Sequence, residues 1–316
     1  MSSHVAAPVA PTADECGLAS WEPADLAGVV LPAWDEFAEI AAAVDLDAPS
    51  RVRGWTARDV CIHLGSWPGS RTLQRMRDEA LLDDLDEADR RAGTFDQTSH
   101  NEAVLEARAG APRADVLDAL RESRAEVAAF LEGDEVRRLG TRPVRSVLGP
   151  LPLATLVAAA AYELAVHALD LAPSGAPEPS PVLLSSGLAA LVDTTGALAA
   201  RCELTASAAC VTPAGGWAFS AVPGAWTTLE LPAAPGAWPT VQGDAHVVLD
   251  ASAGRRAVPA LLGRRELRLQ HVAGLLAMAP IVEAVPGLPG GPALQAAVRN
   301  VRGISRLLRR LPGVPG

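Results

Sequence analysis

A segment rich in Pro, Gly and Ser, residues 172–181 (APSGAPEPSP), divides the sequence into two parts of different character. Such a composition cannot continue a helix, so the chain is expected to break here. Before the break, apolar residues recur at helical spacing. After it, one helical stretch is followed by short segments that Pro and Gly separate. The 316 residues are enough for two domains, each with its own core, and the pattern predicts an α+β protein.

Four amphipathic segments predict a four-helix bundle in residues 21–172. Apolar residues repeat with a helical period over 26–44, 115–131 and 151–172. Another helix is expected to begin after Thr56, which can form a capping box with Asp59. A long connection, residues 83–113, joins the second helix to the third. Residues 1–20 are predicted to be a disordered arm.

Residues 182–287 are predicted to form a small α+β domain with an antiparallel sheet, after a linker at 173–181. Residues 182–201 have helical spacing, and the turns PAGG and PG are typical of hairpins. Further helices are expected near 253–262 and 274–285. The predicted strands are LTASAACV (204–211), WAFSAV (217–222), WTTLEL (226–231), AHVVLDA (245–251) and LRLQHV (267–272).

Composition excludes several classes of function. The net charge of −10 argues against nucleic acid as a partner, because phosphate-binding surfaces are usually basic. The four cysteines form neither a disulfide framework nor a zinc-finger spacing. The first residues lack the basic and apolar regions of a signal peptide, and a cytoplasmic location is expected.

The last segment, residues 288–316, is predicted to be a basic amphipathic tail. Its apolar residues share one helical face, and five Arg lie largely on the other. Such a helix suits an anionic membrane surface or an acidic partner. Because the protein as a whole is acidic, docking of the tail on its own chain is favoured over membrane binding.

The sequence YELAVHALDL (162–171) places Glu163, His167 and Asp170 on one face of the helix at 151–172. Glu163 and His167, one turn apart, could share a metal ion, and a third ligand is then needed. His63 is the candidate, since it lies on the apolar face of the second helix. The alternatives are a hydrogen-bonded Glu–His pair and a core histidine, and spacing alone does not decide between them. Asp170 either ends the helix or bonds His167.

Two motifs resemble those of a known family. GWTARDVCIHL (54–64) resembles a signature of the DinB-like four-helix bundles, and YELAVHALDL resembles that of their mycothiol-dependent maleylpyruvate isomerase branch. The resemblance implies a sterol-carrier-like α+β domain after the bundle. It also implies that His63, Glu163 and His167 bind a divalent metal, with zinc favoured.

The same resemblance implies a chemistry. A thiol cofactor such as mycothiol would be deprotonated at the metal and would add to an activated double bond of a small electrophilic substrate. Rotation about the new single bond and loss of the thiol would give the trans isomer, and thiol transfer onto electrophiles would suit the same site. Arg264, in the segment LLGRRE, is the candidate clamp for a substrate carboxylate, the alternative being a solvated arginine beside Arg255, Arg256 and Arg265.

Two other classes of function stay open. The protein could be a non-catalytic binding module whose second domain holds an apolar ligand, with the bundle as its scaffold. It could also be a partner-binding or regulatory protein that retains the metal without turnover. Metal content and thiol-dependent activity distinguish these alternatives from an enzyme.

Overall fold

The computed structural model describes residues 8–82, 97–231 and 238–284. The basic tail predicted at 288–316 lies outside these ranges. The helices before the linker are α1 (Pro23–Ala43), α2 (Ala57–Leu64), α3 (Thr72–Ala80), α4 (Gln97–Ala107), α5 (Arg113–Glu132), the short α6 (Glu135–Leu139) and α7 (Leu153–Asp170). A two-stranded ribbon, β1 (Pro143–Val144) and β2 (Leu151–Pro152), precedes α7.

All four helices predicted for the bundle are present, as α1, α2, α5 and α7. The α1 helix packs against α5 and α7, and α2 packs against α5. The predicted capping box begins α2, because the Thr56 hydroxyl accepts from the Asp59 N–H while the Asp59 carboxylate accepts from the Thr56 N–H. The connection predicted at 83–113 contains α4, which also packs against α2.

After the linker, α8 (Pro181–Arg201) is followed by a five-stranded sheet of order β5-β4-β3-β6-β7. Its strands are β3 (Ala206–Thr212), β4 (Gly215–Val222), β5 (Ala225–Leu231), β6 (Thr240–Gly243) and β7 (Leu267–Gln270). Three of the four strand pairs are antiparallel, whereas β3 and β6 are parallel. Four short helices complete this part: α9 (Ala245–Ser252), α10 (Val258–Gly263), α11 (Val272–Ala277) and α12 (Ala279–Ala284).

The strand predicted at 245–251 is wrong, because this segment is the helix α9. Its Val-rich sequence favours a strand by propensity, but residues 247–251 are all buried and pack as a helix against α8 and β6. The missing strand is β6, just before it. The helix predicted near 253–262 is the shorter α10, and the one predicted at 274–285 is divided into α11 and α12.

One long helix joins the two parts of the molecule. The α8 helix packs against α7 on one side and against β3, β4 and β5 on the other. A continuous cluster of buried apolar residues runs from the bundle through α8 to one face of the sheet, so the two parts share a core. Both α7 and α8 have the length and hydropathy of membrane-spanning helices, but 67% of each is buried inside the protein, as in central core helices.

The prediction of a disordered arm over residues 1–20 is wrong for its last residues. A 3₁₀ turn forms at Gly17–Ser20, and Leu18 is fully buried. The Leu18 N–H donates to Oδ1 of Asp193 at 2.9 Å, and the Trp226 N–H donates to the carbonyl of Glu15 at 2.9 Å. These partners lie in α8 and β5, so contacts distant in sequence order this segment.

Candidate metal centre

Three candidate metal ligands come together where α2 and α7 meet. Glu163 and His167 lie one turn apart on α7, and His63 lies in the last turn of α2. Oε2 of Glu163 is 3.5 Å from Nε2 of His167 and 4.0 Å from Nε2 of His63. One ligand atom from each residue lies within 4.8 Å of the others. The structure therefore brings together the three residues that the sequence suggested as ligands.

The spacing of these atoms fits a divalent metal ion. Tetrahedral zinc, with bonds of about 2.0–2.2 Å, places neighbouring ligand atoms roughly 3.4 Å apart. The 3.5 Å between His167 and Glu163 agrees with this spacing, and the 4.0 Å to His63 requires a small side-chain adjustment. Two imidazoles and one carboxylate form the ligand set of catalytic zinc sites, which keep a fourth position open.

An indole packs against both histidines. The rings of Trp55 and His167 are stacked, with centroids 6.5 Å apart and 18° between their planes, and Trp55 lies 5.5 Å from the ring of His63. The His167 side chain is 8% exposed and that of His63 15%, whereas the Glu163 side chain is 49% exposed. The site is therefore closed on the side of the histidines and open beside the carboxylate.

Asp170 fixes the orientation of His167. Its Oδ2 lies 3.1 Å from Nδ1 of His167, and the carboxylate is fully buried. A proton on Nδ1, donated to Asp170, leaves the lone pair of Nε2 directed at the site, as a metal ligand requires. From the sequence, Asp170 was expected either to end the helix or to bond His167. It does both, since it is also the last residue of α7.

The charges around these residues favour an ionised Glu163 beside a protonated His167 in the absence of metal. Burial opposes the charge on His167, but its hydrogen bonds to Asp170 and Glu163 raise its pKa to about 9. Partial desolvation also opposes ionisation of the half-exposed Glu163, yet its interactions with His167 and His63 hold the pKa of this carboxyl well below its usual range. Since an imidazole must be neutral to bind a metal, metal binding releases a proton here.

The helical part of the chain has known relatives. Residues 30–172 match the family model of the mycothiol maleylpyruvate isomerase N-terminal domain. This part of the chain is similar to that domain family. The matched range contains His63, Glu163 and His167, and it ends two residues after α7. No curated protein matches the sequence.

Two crystal structures are similar to parts of this chain, each with a TM-score below 0.5. One is an alanine mutant of the mycothiol-dependent maleylpyruvate isomerase, with 13% identity and a TM-score of 0.47 over 82% of this chain and 96% of the other. The second is the mycothiol-dependent maleylpyruvate isomerase itself, with 14% identity and a TM-score of 0.44 over 77% and 93% of the two chains.

A cleft of about 510 Å³ opens beside the candidate metal centre. Leu156, Ala160, Glu163 and His167 all line it, and their spacing places them along one face of α7. Seven residues of helix separate Leu156 from Glu163, about 10 Å at 1.5 Å per residue. The cleft therefore extends from the metal centre along α7 for the length of a small molecule.

The α4 helix brings two polar residues to this region that the sequence analysis did not assign. Asn101 lines the cleft, and burial lowers the pKa of His100, as do the nearby charges of Arg75 and His63. His100 belongs to the connection that the sequence predicted at 83–113, where no helical pattern places it beside His63. The packing of α4 against α2 explains why sequence spacing did not reveal it.

The structure does not bring Arg264 to the cleft. Its side chain is 71% exposed, with Glu266 as an ion-pair partner at 3.8 Å. Three other arginines line the cleft in the described part of the chain, Arg75, Arg145 and Arg255, and of these only Arg255 comes from after the linker. Its Nε and one terminal nitrogen donate to Asp170 at 3.0 and 2.8 Å. The sequence had offered Arg255 only as one of several solvated arginines, because a contact between residues 170 and 255 leaves no local pattern.

Proposed function

We propose that the protein is a metal- and mycothiol-dependent isomerase or thiol transferase that acts on a small electrophilic substrate. The observation that carries this proposal is the His63–Glu163–His167 set at the side of a cleft, in a domain similar to the mycothiol maleylpyruvate isomerase N-terminal domain. The four cysteines are free thiols, which agrees with a reducing cytoplasm as the place of action.

These residues would hold one divalent ion, with zinc favoured by the donor set. When bound, such an ion lowers the pKa of a thiol that takes its fourth position, so that a nucleophile is available at neutral pH.

The other residues of the site position and shield the ligands. Asp170 keeps the proton of His167 on Nδ1, and Trp55 packs against both imidazoles. The cleft beside Glu163 has apolar walls formed by residues such as Trp34, Val127 and Leu156, which reduce the access of water to a bound electrophile.

The experiment is a comparison of turnover with and without thiol. The purified protein, loaded with zinc, is assayed by NMR on cis-configured activated alkenes and on alkylating agents, with mycothiol, with another low-molecular-weight thiol and with none. We expect turnover only with a thiol, and loss of it after chelation. Full activity without thiol would contradict the proposal and favour hydrolysis by metal-activated water.

A non-catalytic ligand-binding protein is the second candidate, and the apolar walls of the cleft favour it. The sequence placed such a pocket in the C-terminal part. The described cleft instead lies in the helical part, and Arg255 alone of its lining comes from after the linker. A protein that retains metal but converts no electrophile with any thiol would support this candidate.

A further inference from the structure

We propose that Arg255 is a positioning residue for the metal centre, so that metal binding in the helical bundle depends on the part of the chain after the linker. Arg255 acts through Asp170, which in turn holds His167. The proposal rests on the metal site of the proposed function. It adds that metal affinity depends on Arg255, a residue that is not itself a ligand.

The contact between Arg255 and Asp170 has two hydrogen bonds. Nε of Arg255 donates to Oδ1 at 3.0 Å, and a terminal nitrogen donates to Oδ2 at 2.8 Å. Oδ2 is the same oxygen that lies 3.1 Å from Nδ1 of His167. Both oxygens of this fully buried carboxylate are therefore held in place by the guanidinium, and the direction in which Asp170 faces His167 is set by Arg255.

Two further residues, Asp250 and Arg51, extend this contact. The backbone N–H of Arg255 donates to the carbonyl of Asp250 at 2.8 Å, and the Asp250 carboxylate accepts from Arg51 at 2.6 Å. Nε of Arg51 lies 3.9 Å from Asp170, too far for a hydrogen bond. Of these two cations, only Arg255 hydrogen-bonds the carboxylate that orients His167.

Arg51 connects these residues to the second histidine. The backbone N–H of Arg51 donates to the carbonyl of Asp170 at 2.8 Å, which holds the loop before α2 against the end of α7. The same loop carries Trp55, whose indole packs against the rings of His63 and His167. The residues from Asp250 to Arg255, at the end of α9 and just after it, therefore support both imidazoles from outside the bundle.

A double-mutant cycle on zinc affinity tests the proposal. Arg255→Met removes the guanidinium and keeps the aliphatic stem, and Asp170→Asn removes the charge that it holds. Arg264→Met is the matched control, because Arg264 is exposed and does not line the cleft. For each full-length variant, the zinc Kd is measured at fixed pH by competition with a chromophoric chelator, and the melting temperature of the metal-free protein is measured in parallel.

We expect Arg255→Met to weaken zinc binding by about 10–100-fold, the usual effect of removing the support of a metal ligand. The double variant should bind zinc no more weakly than Asp170→Asn alone, because Arg255 acts through Asp170. The control should match the wild type. The double variant lacks both charged side chains of the Arg255–Asp170 pair, so neither charge is left buried without its partner. It should therefore fold even if Arg255→Met does not.

Two results would overturn the proposal. One is an Arg255→Met variant with the zinc affinity of the wild type, and the other is a double variant whose loss equals the product of the two single losses. Either would leave the metal site of the proposed function intact. Failure of the wild-type protein itself to bind a divalent metal would overturn the proposed function and this inference together.

Discussion

The Nε2 atom of His63 lies 4.0 Å from Oε2 of Glu163, although the two residues belong to different helices. The site therefore exists only when the end of α2 lies close to α7. Its third member, His167, lies one turn from Glu163 and needs no tertiary contact to be near it. A bound metal ion would connect the two helices, and several measurable consequences follow from that connection.

Metal content should depend on all three ligands. Replacement of His63 or His167 by Ala, or of Glu163 by Gln, is expected to reduce bound zinc from roughly one ion per chain to a small fraction of that, since two ligands form a weak site. Elemental analysis after dialysis measures the zinc content per chain. His246→Ala, at an exposed position of α9, is the control and should retain zinc. Unchanged zinc in the three ligand variants would show that the ion binds elsewhere.

Zinc should also stabilise the folded protein, because it binds the native arrangement of α2 and α7. At a free zinc concentration 100 times the Kd, the stabilisation is about 2.7 kcal/mol. For a chain of this size, that corresponds to an increase in Tm of roughly 4 °C, which a chelator should reverse. Differential scanning calorimetry of the wild type and of His63→Ala provides the test. An equal increase in both proteins would mean that the stabilisation does not arise at this site.

Asp193 should make stability dependent on pH. It is fully buried, and burial raises its pKa to about 6 even though the Leu18 N–H, Trp226 Nε1 and the Thr228 hydroxyl all donate to its Oδ1. The unfolded chain releases this proton near pH 4. Between about pH 4 and 6 Asp193 is therefore more protonated in the folded protein than in the unfolded chain, and its contribution to stability falls as pH rises, by on the order of 3 kcal/mol.

Asp193→Asn isolates this contribution. Oδ2 of Asp193 and Oγ1 of Thr155 form no hydrogen bond of normal geometry within the described residues, although the Thr155 hydroxyl is close enough to lower the Asp193 pKa, and an Asn amide could donate to that hydroxyl. The variant should be more stable than the wild type at pH 8, and the difference should shrink on acidification to pH 4. Urea denaturation at several pH values measures it. A variant that is less stable by the same amount at every pH would contradict the expectation.

The sequence predicted the features that depend on neighbours along the chain. Glu163 and His167 are four residues apart on one helix. Thr56 caps α2 by a reciprocal contact with Asp59, three residues further along the chain. Spacing alone suggests both relationships. The strands β3, β4 and β5 are joined by short turns and form successive antiparallel pairs, which makes them recognisable as well. The proximity of His63 was a hypothesis from its helical face and the motif.

The features that the sequence analysis missed depend on contacts between distant segments. Arg255 reaches Asp170 from after α9, and Leu18 is ordered by Asp193 in α8. The segment around Val247 shows the same effect on secondary structure: its β-branched residues favour a strand, but the burial available between α8 and β6 favours a helix. No local pattern contains this information, since it arises from which elements pack together.

The junction between the two parts of the molecule provides the last prediction. Gly187 of α8 lies against α7, where a Cβ atom would be 2.5 Å from Cβ of Ala165. Gly187→Val should push the two helices apart and reduce the free energy of unfolding by about 1–3 kcal/mol. Because α7 carries Glu163 and His167, the same displacement should weaken zinc binding.

Gly28→Ala is the matched control for this substitution. Gly28 lies in α1, with no heavy atom within 4 Å of the Cβ position, so the added methyl meets open space. Alanine there should leave zinc affinity unchanged and stabilise the protein by up to about 1 kcal/mol, through its higher helix propensity. Urea denaturation and zinc competition on both variants measure the two effects. A Gly187→Val protein as stable as the wild type would show that α7 and α8 tolerate a wider separation than their packing indicates.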